Sequence, residues 1–200
     1  MRLFESIREL HKINITWQKI RSQQFTGTNR KIAKLTLILS RICFCLFWAL
    51  DNVKVLLLTG FLKGNPRRLS KPSFFVWLLG LVSSIVHNVM LLRLSYKNEA
   101  DLKNTVVSNK TPKQVLQILK ESSNQRFKIM LNIIRNVGDS IIATQQLGLP
   151  RKILNIDINY GVIACGGFVS SQVGLYQIYT KIQRLESESQ EQSLSGLNYI

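Results

Sequence analysis

FFVWLLGLVSSIVHNVMLL, residues 74–92, contains no Asp, Glu, Lys or Arg in a chain of 200 residues that carries a formal net charge of +16. As an α-helix this stretch is about 30 Å long, which is close to the thickness of the hydrocarbon layer of a bilayer. A second uncharged stretch, YGVIACGGFVSSQVGLYQIY, covers residues 160–179. Two such stretches in a small chain indicate an all-α integral membrane protein, and we predict one span in each.

The remaining segments are amphipathic or polar. Residues 1–25 are predicted to form an amphipathic arm, and residues 112–147 an amphipathic helix, because apolar residues recur in both at spacings of three and four. Residues 30–62 are apolar but contain Arg41, Asp51 and Lys54. Since charges at mid-bilayer are costly, we predict a helix there that lies at the interface or packs among other helices. Residues 97–113 are predicted to form a loop, and residues 181–200 a polar tail after a single membrane-associated helical domain of residues 1–180.

Basic residues flank and interrupt the apolar stretches, as in proteins whose side chains bind anionic headgroups. This pattern argues against a nucleic-acid-binding protein, in which basic residues gather on one groove-reading element. The candidate membrane-binding residues lie early in the 30–62 segment: Arg30, Lys31, Lys34, Leu35, Ile38, Arg41 and Ile42.

Small residues spaced by four form one stripe in each predicted span. Such stripes let membrane helices approach closely. We predict that the two spans pack on each other, or each on a second copy of the chain, through Gly80, Ser84, Gly166, Ser170 and Gly174. Asp51, Lys54 and Asn88 are candidate polar residues within the membrane.

No catalytic residue, metal ligand or cofactor is predicted. The chain has no phosphate-binding loop, no G-x-S-x-G and no H-E-x-x-H, and its carboxylates are scattered singly. Cys43, Cys45 and Cys165 lack the spacing of a zinc site and are interpreted as reduced thiols. The N-terminus lacks the features of a cleaved signal peptide.

Four segments in a fixed order resemble the peroxin-11 family of peroxisomal membrane proteins. They are LSRICFCLFWALDNVKVLLLTGFL (39–62), SKPSFFVWLLGLVSSIV (70–86), NVGDSIIATQQLGLP (136–150) and GVIACGGFVSSQVGLYQIY (161–179). The resemblance covers about residues 30–180, and residues 1–25 depart from the opening that is usual in the family.

The resemblance implies a protein of the peroxisomal or a related microbody membrane, multi-pass and with cytosolic termini, that promotes peroxisome elongation, proliferation and division. It further implies insertion of amphipathic helices, homo-oligomers and contact with organelle-division factors. A helix that inserts its apolar side into one leaflet expands that leaflet and favours convex curvature. A channel for small metabolites is the alternative, in which a polar path between the helices is lined by Asp51, Lys54, His87, Asn88 and Gln172.

Overall fold

The computed structural model describes residues 3–21, 28–106 and 112–197, and every element in these ranges is a helix. The helices are α1 (Leu3–Arg21), α2 (Thr28–Leu58), α3 (Arg67–Val106), α4 (Pro112–Gln146), α5 (Leu149–Leu154) and α6 (Tyr160–Leu197). The prediction of an all-α membrane protein is confirmed, since two of these helices are also long and apolar enough to cross a bilayer.

Glycine and proline set the helix ends. Gly60 takes a φ of 80° directly after α2, a backbone conformation that glycine adopts without steric cost. The chain turns in the same way at Gly148, with a φ of 65°, and Pro150 then occupies the first turn of α5. These turns send α3 back along α2, and the short α5 carries the chain from α4 towards α6.

The helices lie side by side in the order α1, α2, α3, α4, α6. Within the described residues, each long helix contacts only its neighbours in this order, and α5 contacts only α4. The described helices therefore form a layer one helix thick, and no other described helix covers either of its faces. The buried side chains lie between neighbouring helices and most of them are small, with Leu81 the largest that is fully buried.

Three boundaries differ from the sequence-based predictions. Pro72 lies inside α3, although KGNPRRLSKP at residues 63–72, with its two prolines, predicts a turn that stops the helix. Pro72 lies close to the start of α3, so the helix loses only the one hydrogen bond that a backbone N–H at this position would donate. The described part of the predicted 97–113 loop is helical to Val106; residues 107–111 lie outside the described residues. Likewise, the predicted polar tail forms the C-terminal part of α6 as far as Leu197.

Hydropathy identifies two membrane-length helices in the described residues, and the second of them contains the predicted 74–92 span. They are Lys31–Leu58 in α2 and Arg67–Asp101 in α3. The 160–179 stretch was expected to be a span, yet it is not among them, because its glycines, serines and glutamines dilute its apolar residues. The 30–62 segment was expected to lie at the interface or to pack among other helices; its Lys31–Leu58 stretch is long and apolar enough to cross a bilayer, and the interfacial position stays a prediction.

A candidate membrane surface and a polar groove

One side of the helix layer is an apolar surface. Large hydrophobic side chains are exposed at spacings of three and four on each of α2, α3 and α4. This surface, called here the apolar face, includes Leu35, Leu39, Ile42 and Leu46 of α2, Phe75, Leu79, Val82 and Val86 of α3, and Phe127, Met130, Ile134 and Val137 of α4. Exposed apolar surface on this scale is typical of proteins that bind a membrane or a partner.

The opposite side of the layer holds a groove of about 990 Å³ that is lined by residues of α1, α2, α3 and α4. On α2, the lining residues Arg41, Phe44 and Trp48 project about half a turn away from Leu39, Ile42 and Leu46. The same opposition holds on α3, where Ser84 and other polar residues line the groove. This cavity, the polar groove, contains the side chains Arg8, Glu9, Lys12, Ser40, Arg41, Asp51, Lys54, Ser73, Ser84, His87, Asn88, Asn132, Arg135, Asn136, Asp139 and Gln146.

A carboxylate anchors α1 at one wall of the polar groove. Glu9 is only 5% exposed, and it forms ion pairs with Lys12 of its own helix and with Arg41 of α2. The Arg41 Nη1 atom lies 3.1 Å from Glu9 Oε2. Because a buried carboxylate needs such partners, the pair fixes the position of α1 on α2.

Aromatic side chains occupy one end of the polar groove. The rings of Phe47 and Trp77 stack with their centroids 5.2 Å apart. Beside them, the Lys54 ammonium lies 5.8 Å from the centroid of the Phe74 ring, a cation–π arrangement. Asp51 lines the same groove. The predicted intramembrane residues Asp51, Lys54 and Asn88 therefore share one cavity, and their position within the membrane stays a prediction.

The two small-residue stripes do not face each other. Within the described residues, α3 and α6 share no contact. Instead, Gly80 lies against Cys43 and Phe44 of α2, and the Ser84 hydroxyl accepts a hydrogen bond of 2.8 Å from Asn136 of α4. The prediction that the two spans pack on each other is therefore wrong within the chain; packing on a second copy stays a prediction.

The α6 stripe packs on α4. A Cβ atom added at Gly138 would lie 2.5 Å from the carbonyl oxygen of Gly166, so the two backbones are in direct contact. Next to them, the Ser170 hydroxyl donates a hydrogen bond of 2.5 Å to Asp139 Oδ1. The sequence reasoning missed Gly138 and Asp139, because the partner of Asp139 lies 31 residues further along the chain.

Further polar contacts join neighbouring helices. His87 Nδ1 lies 2.6 Å from the carbonyl oxygen of Ala33, which links α3 to α2. The Gln177 amide donates to Asn132 Oδ1 at 2.9 Å, which links α6 to α4. Polar pairs of this kind stabilise contacts between membrane helices, where no hydrophobic effect drives association.

The predicted membrane-binding residues divide between two surfaces. Lys31, Leu35 and Ile42 are exposed, Lys34 and Ile38 are half-buried, and the side chain of Arg30 lies outside the described residues. Arg41 points into the polar groove and pairs with Glu9. Contact of these residues with lipid stays a prediction, and for Arg41 it would take place from the polar side of the layer.

Metal-binding chemistry has no visible basis in the described residues, where His, Cys, Asp and Glu form no group of three or more that could hold an ion. Cys43, Cys45 and Cys165 are free thiols. The described helices therefore present an extended apolar surface on one side of the layer and a charged groove on the other.

Comparison with known proteins gives consistent matches. Residues 1–179 match the family described as Peroxisomal biogenesis factor 11 (PEX11). The chain is 26% identical to Peroxisomal membrane protein PMP30B of Candida boidinii, over 90% of this chain and 71% of that protein. It is 24% identical to Peroxisomal membrane protein 11 homolog of Dictyostelium discoideum, over 68% of this chain and 58% of that protein. No solved structure matches the chain.

Proposed function

The chain belongs to the PEX11 family of peroxisomal membrane proteins, and we propose that it promotes peroxisome elongation and division by inserting the apolar face of its helix layer into one leaflet. The family is one of organelle biogenesis factors and not of enzymes. The mechanism proposed here rests on one observation, the opposition of the apolar face and the polar groove on the two sides of a single layer.

The physical basis is the area that one chain would insert. An amphipathic helix sinks its apolar side about 5–10 Å into a leaflet and expands it. Packed helices lie about 8–10 Å apart, so the three helices that carry the apolar face, α2, α3 and α4, form a plate about 25–30 Å wide. A plate of this width expands one leaflet far more than a single helix does, and the membrane relaxes by curving towards the side that carries the protein.

The packing of the helices supports one orientation of the layer in the membrane. Neighbouring helices contact each other along their length, as the pairs Ser84–Asn136 and Glu99–Arg126 show for α3 and α4. The helices therefore either all cross the bilayer or all lie along it. Crossing would place the charged lining of the polar groove near mid-bilayer, where each charge costs about 2.5–3.5 kcal/mol on the insertion scale. Lying along the membrane leaves that lining in water, with both termini on the cytosolic side.

Anionic lipids and further copies of the chain are the partners that this arrangement favours. Exposed basic residues such as Lys31 each contribute about 1 kcal/mol at an anionic surface. Homo-oligomers would gather several plates in one region and increase the curvature there. Organelle-division factors would then act on the narrowed membrane.

The test is reconstitution of the full chain into vesicles that contain anionic lipid, followed by electron microscopy. We expect tubules with the unmodified protein and smooth vesicles with Ile42→Glu/Leu46→Glu, which places two charges on the apolar face. Ile153→Glu is the matched control, because Ile153 is exposed on α5 and outside the apolar face. Equal tubulation by the double variant would exclude insertion of this face as the cause of curvature.

Passage of small solutes is a second candidate function, favoured by the polar groove. A cavity of about 990 Å³ lined by charged and amide side chains would form part of an aqueous path if several chains enclosed it. Conductance of the purified protein in planar bilayers, lost in Asp51→Leu, would support this function. Silent bilayers from a preparation that tubulates vesicles would support insertion alone.

A further inference from the structure

We propose that the polar groove is a binding site for a phosphate group, and that Arg135 of α4 is the residue that binds it. The lining of the groove carries five basic side chains and three acidic ones. The apolar face lies directly beneath, and low-dielectric material under a charged cleft strengthens its electrostatic field. The groove therefore attracts anions.

The acidic residues of the groove are already engaged. Glu9 is paired with Lys12 and Arg41, Asp139 accepts the hydrogen bond from Ser170, and Asp51 also has a partner. Asp139 lies one helical turn from Arg135, at a spacing at which the two side chains commonly pair. Here the carboxylate contacts α6 instead, and its charge is not neutralised by the arginine.

Arg135 differs in this respect from the other arginines of the groove. Among the described residues, no hydrogen bond or ion pair reaches its guanidinium, whereas Arg41 is held by Glu9 and Arg8 also has a partner. A planar guanidinium offers five N–H donors that match the oxygen atoms of a phosphate. Arg135 is thus an uncommitted donor on the wall of a positively charged cavity.

A glycine of α6 provides the space around Arg135. A Cβ atom added at Gly174 would lie 3.8 Å from Arg135 Cζ, which places the guanidinium directly against the backbone of α6. A larger side chain at this position would push the guanidinium away. On α4, Asn132 also lines the groove; its amide oxygen accepts a hydrogen bond from Gln177, and its amide nitrogen donates to no other described residue.

A phosphate could come from the headgroup of an anionic phospholipid or from a soluble phosphate compound, and calorimetric titration of the full chain in detergent distinguishes them. The probes are inorganic phosphate, dihexanoyl phosphatidic acid and dihexanoyl phosphatidylcholine. Binding of phosphatidic acid alone assigns the site to a lipid headgroup, and comparable binding of inorganic phosphate assigns it to a free phosphate. Equal binding of phosphatidylcholine, or no binding of any probe, overturns the proposal.

Variants locate the site. We expect Arg135→Gln to weaken binding about tenfold, which corresponds to about 1.4 kcal/mol. Gly174→Leu should weaken it through crowding while every charge is kept. Arg93→Gln is the matched control, because Arg93 is an exposed arginine of α3 that does not line the groove. Unchanged affinity in folded Arg135→Gln would overturn the proposal. Binding in detergent does not depend on tubulation, so this proposal and the proposed function can fail separately.

Discussion

The Ser170 hydroxyl and the Asp139 carboxylate, 2.5 Å apart, join α6 to α4 at the point where the two helices approach most closely. Gly138 precedes this aspartate directly, and Gly166 lies one turn before the serine. The closeness of the backbones and the polar contact therefore depend on each other, because side chains as short as serine and aspartate meet only when the helices are close.

Substitution of Gly138 tests the close approach. Gly138→Ala would place a methyl group 2.5 Å from the Gly166 oxygen, so the helices must separate. Overpacking of this kind costs about 1–3 kcal/mol, and we expect that loss in the free energy of unfolding measured by denaturant titration in micelles. Gly161→Ala, where the nearest atom to the new Cβ is 3.6 Å away, should cost less than half as much. Equal losses in Gly138→Ala and Gly161→Ala would mean that α4 and α6 do not approach each other closely at Gly138 and Gly166.

Substitution of Ser170 tests the polar contact alone. Ser170→Ala keeps the helix spacing but removes the donor from Asp139, and hydrogen bonds to charged groups contribute about 1.5–3 kcal/mol. We expect the free energy of unfolding to fall by an amount near the lower end of this range, because the partly buried Asp139 carboxylate can form a hydrogen bond to water instead. Ser171→Ala changes an exposed serine of the same helix and serves as the control. If Ser171→Ala lowered the free energy of unfolding as much as Ser170→Ala, the stabilising role of the Ser170–Asp139 hydrogen bond would be contradicted.

The attachment of α1 to α2 depends on Glu9. Glu9→Gln removes the negative charge that pairs with Arg41 and Lys12, so α1 should detach more often from the edge of the layer. Limited trypsin digestion should then cut after Arg8 or Lys12 several-fold faster. Glu121→Gln removes an exposed carboxylate of α4 and should leave these rates unchanged. Identical digestion of all three proteins would show that the ion pair does not hold α1.

The orientation of the layer can be measured with cysteines introduced at two exposed positions. Lys63→Cys lies in the turn between α2 and α3, and Ser189→Cys lies near the end of α6. In a chain whose own cysteines are replaced by alanine and that is reconstituted into sealed vesicles, a layer lying along the membrane makes both thiols react with a membrane-impermeant maleimide from the same side. Protection of the Lys63→Cys thiol alone would mean that α2 and α3 cross the bilayer.

The sequence predicted the helical class well and the pairing of the helices poorly. The apolar residues of α2 and α4 recur at helical spacing, and such periodicity depends only on local geometry. The partner of Gly166 could not be found in this way, because a small residue indicates a close contact without indicating which helix makes it. The stripes at Gly80 and Gly166 were thus assigned to each other, whereas each packs on a different helix.

The polar groove was only partly predictable. Asp51, Lys54 and Asn88 were identified as polar residues in apolar surroundings, and all three line the cavity. For Arg135, the sequence predicts only a position on the polar side of the amphipathic 112–147 helix. Its position opposite α6 depends on the turn at Gly148 and the short α5, which no periodicity encodes.

A layer in which every long helix contacts only its neighbours along the chain has a consequence for how the protein forms. All contacts between the described helices join elements that follow one another along the chain or are separated only by the short α5. Each helix can dock on the one before it as soon as it has emerged from the ribosome, without waiting for the C-terminus. A substitution that disrupts one helix–helix contact should accordingly destabilise mainly the two helices that form it, as in linear repeat proteins.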